Sequence, residues 1–158
     1  AFSGRMSVKH ENDGVSFRVE WLHHGDGRFN IEFVAPMGQG WMRVTGSPEK
    51  TIIETSENQR FEGKTIEEVA RKVTGWRLPL KNLEHWLLGI PVPTQMYTAQ
   101  ADSRGLVSTL LQTGWQINYL MYGEQGDYQV PAKIKATSEH FQIKAVIQSW
   151  RFGGDVDG

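Results

Sequence analysis

The feature that most constrains this chain is strict two-residue alternation through its first third. Val15, Phe17, Val19 and Trp21 fall on one side of an extended segment, with Ser16, Arg18 and Glu20 on the other. After Gly25-Asp26-Gly27, Phe29, Ile31 and Phe33 repeat the pattern opposite Asn30 and Glu32. Successive side chains of a strand point to opposite faces, so this pattern describes a hairpin meander with one buried face. Arg5–His10 alternates ahead of it, with Asn12-Asp13-Gly14 as the turn. Trp41–Val44 and Thr51–Glu54 continue it, divided by Gly46-Ser47-Pro48.

The period then changes. Thr65 with Glu68 three residues on is a capping box, and Ile66, Val69, Ala70 and Val73 make a helical stripe that Gly75 ends. Leu80, Leu83, Trp86 and Leu87 form a second stripe, closed by Gly89 and Pro91. Alternation returns after Met96, with Leu106, Ser108 and Leu110, then Trp115, Ile117, Tyr119 and Met121. Lys133-Ile134-Lys135 and Phe141, Ile143, Ala145 and Ile147 complete the set. Strands, two helices and more strands, without a βαβ rhythm, give a mainly β fold: one antiparallel sheet whose apolar face the inserted helices cover. A sheet of this size twists and curls. Residues 1–152 read as a single domain and 153–158 as a polar C-terminal tail.

Composition narrows the function. A net charge of −1 offers no basic field, which excludes nucleic acid as a partner. The chain has no Cys, so disulfides and thiolate chemistry are excluded. No apolar run approaches the roughly 20 residues that span a bilayer, and no signal peptide opens the sequence. Six Trp, seven Phe and five Met suit either a bulky core or wide apolar space.

Enzyme signatures are missing: there is no phosphate loop, no His-Glu-x-x-His, no Gly-x-Ser-x-Gly. His23 and His24 are adjacent on a strand end and point to opposite faces, so one metal ion cannot easily take both. His85 stands beside Glu84 and His140 beside Glu139, and no motif in the sequence makes either catalytic. The reading is therefore a non-enzyme with no metal and no cofactor. The segment Ala35-Pro36-Met37-Gly38-Gln39-Gly40 is more telling. Pro36 fixes its own φ and Gly38 and Gly40 permit left-handed geometry, which makes a shaped turn with Met37 near its tip. Met37 either packs back onto the sheet or projects outward toward a membrane or an apolar partner.

At this point the chain resembles the LolB family of outer-membrane lipoprotein receptors. The resemblance is carried by Gly4-Arg5-Met6-Ser7-Val8, Phe17-Arg18-Val19-Glu20-Trp21, Arg28-Phe29, Ala35-Pro36-Met37-Gly38 and Thr74–Leu80. Leu83–Pro91, Gln112-Thr113-Gly114-Trp115, Tyr119 and the last strand to Trp150 extend it over nearly the whole chain. It implies a curved, half-open antiparallel β-barrel under short helices, LolA/LolB-like, at the periplasmic face of the outer membrane. It implies a monomer whose hollow receives the acyl chains of lipoproteins from a LolA-type periplasmic carrier and passes them to outer-membrane lipid. It also implies that Pro36, Met37 and Gly38 form the membrane-delivery loop, with Met37 where the family commonly has Leu.

The candidate acyl lining is the strand face Val15, Phe17, Val19, Phe29, Ile31, Phe33, Met42 and Val44, with Ile66, Val69, Leu83, Trp86 and Leu87 from the helices. All are equally good as ordinary core. Family members are anchored through an N-terminal Cys and carry a helical segment before the first strand; neither is found here, so a trimmed soluble body is expected. Rival classes are a carrier or stress-sensing domain that binds acyl chains without delivering them, and an enzyme acting on a lipid or glycan.

Overall fold

A computed structural model describes residues 1–151, which leaves the expected 153–158 tail outside the described residues. The elements run β1 (Phe2–His10), β2 (Asp13–His23), β3 (Phe29–Val34), β4 (Trp41–Gly46), β5 (Thr51–Thr55) and β6 (Arg60–Gly63). The helices α1 (Ile66–Thr74) and α2 (Leu80–Leu87) follow. Then come β7 (Tyr97–Ala101), β8 (Val107–Gln112), β9 (Trp115–Gln125), β10 (Tyr128–Thr137) and β11 (Phe141–Trp150). The strands form an 11-stranded sheet in the order β6-β5-β4-β3-β2-β1-β11-β10-β9-β8-β7. It is antiparallel and does not close, so the mainly β class with two inserted helices is what the alternation called for.

The chain divides into two compact units. The first takes Ala1–Gly4, Phe17–Lys81 and the chain from Ser149 on, and the second takes Arg5–Ser16 and Asn82–Gln148. In the first, α1 packs on β5 and β6. Thr65 caps it as expected, its hydroxyl accepting from Glu68 N at 3.1 Å. Glu68 reaches back one residue further than a capping box requires, its Oε2 accepting from Lys64 N at 3.1 Å. Gly75 ends the helix at φ 78°, where an L side chain would be strained. Ile66, Val69 and Ala70 are buried, while Val73 is only half-buried. Gly63 lets α1 come this close, because a Cβ there would meet Val69 Cγ2 at 2.7 Å.

In the second unit α2 buries Leu83, Trp86 and Leu87. The Trp86 ring lies 6.1 Å from that of Trp115 on β9, and the Tyr119 hydroxyl donates to the Trp86 carbonyl oxygen at 2.5 Å. Burial pushes that hydroxyl well above the ordinary phenol range.

Two strands left no mark that alternation could read. β6 carries one large apolar residue, Phe61, between Arg60 and Glu62. β7 is exposed along its whole length, so it has no buried face to print a pattern. β10 is longer than Lys133-Ile134-Lys135 indicated: it starts at Tyr128 and passes through Pro131, with its register to β9 shifting between Pro131 and Lys133. Proline lacks the donor that a regular ladder needs, which accounts for an irregularity at that place. No helix among the described residues is long and apolar enough to cross a membrane.

Candidate functional site

The apolar side of the first unit is a set of cross-strand rows, and their register sorts the candidate residues. Trp21 pairs with Ile31, Ile31 with Val44 and Val44 with Ile53. All four side chains are buried, forming the ordinary core of this unit. Two residues along the strands, Val19 pairs with Phe33, Phe33 with Met42 and Met42 with Thr55. Val19 is buried, but Phe33, Met42 and Thr55 are only half-buried. Phe17 is half-buried too and meets Phe33 edge to face, with ring centroids 5.0 Å apart. On the far side of the core row, Phe29 pairs with Gly46 and covers it so closely that a Cβ there would lie 2.1 Å from the ring.

The half-buried row ends at the loop joining β3 to β4. Ala35 N donates to Gly40 O at 2.9 Å and Gln39 N to Pro36 O at 3.3 Å, closing a single tight turn over Pro36–Gly38. At its tip Met37 has φ 58° and ψ 25° and is 97% exposed. The side chain therefore projects outward, and it does so from a left-handed backbone that costs a non-glycine residue about 1 kcal/mol. The base of the turn is fastened. Trp41 N donates to the Ser56 hydroxyl at 3.2 Å, and the Arg43 guanidinium stacks 4.4 Å over the Trp41 ring.

Of the strand residues nominated as lining, Phe17, Phe29, Phe33 and Met42 thus keep apolar surface available, and Val15 is exposed. Val19, Ile31, Val44, Ile66 and Val69 are packed inside the first unit, as are Leu83, Trp86 and Leu87 inside the second. The second unit also has a cleft of about 630 Å³ between the Thr113-Gly114 turn, Met96 and the Thr137–Glu139 stretch. None of the nominated residues lines it; Met96, Tyr97, Leu111 and Trp115 share its wall with Thr98, Thr113, Ser138 and Glu139.

Two polar features escaped sequence reasoning. Gln112, 3% exposed, uses its whole amide: Oε1 accepts from Trp86 Nε1 and Val92 N, both at 2.9 Å. Its Nε2 donates to Val92 O at 2.9 Å and Gln95 O at 3.1 Å. It thereby ties α2 and the Pro91–Pro93 tract to β8. The second feature is Trp21, 5% exposed, whose Nε1 is buried without a hydrogen-bond partner. An amide at a strand end and an indole on an apolar face carry no pattern that betrays either role.

His23 shares this face, paired with Phe29 across β2 and β3. His23 ends β2 exposed, His24 Nε2 lies 3.1 Å from Asn30 Nδ2, and His140 Nε2 is 3.9 Å from Glu139 Oε2. No group of three His, Asp or Glu among the described residues is arranged to hold a metal ion.

Comparison with known proteins bears on this arrangement. The LolB protein of Pseudomonas fluorescens, an outer-membrane lipoprotein, is 31% identical over 148 residues, which is 94% of this chain and 72% of that protein. The LolB protein of Stutzerimonas stutzeri is 32% identical over 149 residues, with the same shares. Among solved structures, a DUF1329 family protein from Desulfovibrio piger superposes with a TM-score of 0.60 at 9% identity, over 98% of this chain and 85% of that one. A putative outer membrane lipoprotein-sorting protein domain from Vibrio parahaemolyticus gives 0.58 at 6% identity, over 99% and 86%. At such identities these two structures testify to fold alone. The family model described as outer membrane lipoprotein LolB matches residues 1–150, and the chain belongs to the LolB family.

Proposed function

We propose that this chain is an outer-membrane lipoprotein receptor, working as a monomer at the periplasmic face of that membrane. In this reading residues 1–152 act as one lipoprotein-binding domain, which accepts the acyl chains of a lipoprotein from a LolA-type carrier and releases them into outer-membrane lipid. The observation that carries it is the pairing, within one unit, of a half-buried apolar row with an outward methionine. Phe33 and Met42 leave hydrocarbon surface available, and the turn that follows Phe33 and precedes Met42 holds Met37 fully in water.

The energetics need no catalysis. Each buried methylene is worth about 0.8 kcal/mol, so a long acyl chain gains roughly 10 kcal/mol before ordering costs. A bilayer offers a similar gain, so small differences in affinity between carrier, receptor and membrane set the direction of transfer. No nucleotide or covalent step enters. Met37 supports delivery because an exposed apolar tip gains free energy on leaving water, and the strained turn holds it out without further ordering.

The test is transfer of a triacylated lipoprotein from purified LolA-type carrier to this chain, then to liposomes, with Met37→Glu beside the parent. The parent is expected to take up cargo and release it; Met37→Glu is expected to take it up and retain it, since a carboxylate resists leaving water. Unimpaired delivery by the variant would remove the role given to Met37. Tight lipid binding by the parent without delivery would make the chain a carrier instead.

A further inference from the structure

Two buried tryptophans, one in each unit, differ in one atom's surroundings. Trp86 Nε1 donates to Gln112 Oε1 at 2.9 Å in a fully used amide network. Trp21 is 5% exposed, yet its Nε1 is the one buried side-chain nitrogen or oxygen among the described residues without a partner. Its neighbours include Ile31 opposite on β3 and the Phe2 ring at 5.6 Å. A buried donor without an acceptor costs free energy, and native structures keep such groups where something else supplies the acceptor.

We infer that the Trp21 indole N–H is the donor that recognises an acyl carbonyl of bound lipid. This rests on the acyl-binding reading above and makes it more specific. The Trp21 row lies two residues, or about 7 Å, along the strands from the half-buried Val19–Phe33–Met42 row. A lipid lodged on that row brings methylenes, which satisfy nothing polar, and ester or amide carbonyl oxygens, which only accept. The unpaired group on this face is a donor, and an indole N–H can do nothing else. The match selects acyl linkage over plain hydrocarbon. It gives an otherwise non-directional apolar surface a way to fix where the head of the chain sits.

The test compares dioctanoylglycerol with its ether analogue dioctylglycerol, which has the same chain length and no carbonyl. Both bind as monomers below their aggregation threshold, to the full chain and to Trp21→Phe. The parent is expected to prefer the ester by roughly 3- to 10-fold, the worth of one hydrogen bond. Trp21→Phe is expected to lose that preference, binding ester and ether alike. In the parent, the Trp21 indole ¹H–¹⁵N resonance should move downfield with ester and hold with ether, a readout that does not depend on the variant folding. Equal weakening toward both lipids, or no ester preference in the parent, would overturn the donor role and leave the acyl-binding reading standing. A folded parent that binds neither lipid would sink that reading and this inference with it.

Discussion

The two units solve the same packing problem with opposite polar chemistry. In the second, the buried side chains around α2 are matched: Gln112 serves Trp86, Val92 and Gln95, and the Tyr119 hydroxyl donates to the Trp86 carbonyl oxygen. In the first, the core row contains an unmatched indole, the adjoining row is left half-open, and a methionine is held in water on a left-handed backbone. The contrast lies in the buried polar atoms, not in exposed hydrocarbon, since Met96 of the second unit is 94% exposed. An unsatisfied buried donor costs stability, and in the proposed function bound lipid completes the one at Trp21.

The sharpest way to break this contrast is Gln112→Leu. It leaves the buried Trp86 N–H, the half-buried Val92 N–H and the carbonyl oxygens of Val92 and Gln95 without their partner, and should cost about 3 kcal/mol in urea unfolding. A loss under about 1 kcal/mol would show that the amide network is not what holds α2. The next step matches the tryptophans: Trp86→Phe should cost about 2 kcal/mol, for ring volume and a broken bond together. Trp21→Phe should cost clearly less, because removing an unpaired donor offsets the lost volume; equal costs would mean that Trp21 Nε1 is satisfied in solution.

Alkaline titration sharpens the account of Tyr119. Its folded pKa is raised by burial above the value near 10 of an unfolded tyrosine. The stability that this neutral phenol contributes is therefore intact below pH 10 and is lost as pH rises from there toward the folded value. Tyr119→Phe should flatten that alkaline limb, which unfolding measured at pH 9 and at pH 11 would show. The smallest effect is expected at Met37→Gly, a gain of about 1 kcal/mol from relief of the left-handed backbone. A loss would place stabilising contacts on a side chain that is 97% exposed.

Most of the architecture could be read from the chain because burial is one-sided. Where one face of a strand is covered, as in β2 and β3, alternation prints it; where neither face is, as in β7, nothing does. The capped helix at Thr65 was legible because capping is local chemistry. The loop at Pro36–Gly38 was legible as a turn, but the direction of Met37 was not, since that depends on a backbone angle. The thirteen lining candidates could not be separated into packed and available residues from sequence, because Ile31 and Phe33 look alike until the register sets them in different rows. Gln112 and Trp21 were hidden for a deeper reason: what matters in each is the presence or lack of partners distant in the chain.

The backbone at Met37 has a consequence for anyone engineering this protein. A library selected for heat resistance alone would be drawn to glycine or asparagine at position 37, the residues that a left-handed turn accepts at least strain. Such a winner would express well and melt late, and would have discarded its outermost hydrocarbon. With Met37 in the delivery role proposed above, thermal screens on this scaffold need a membrane in the assay.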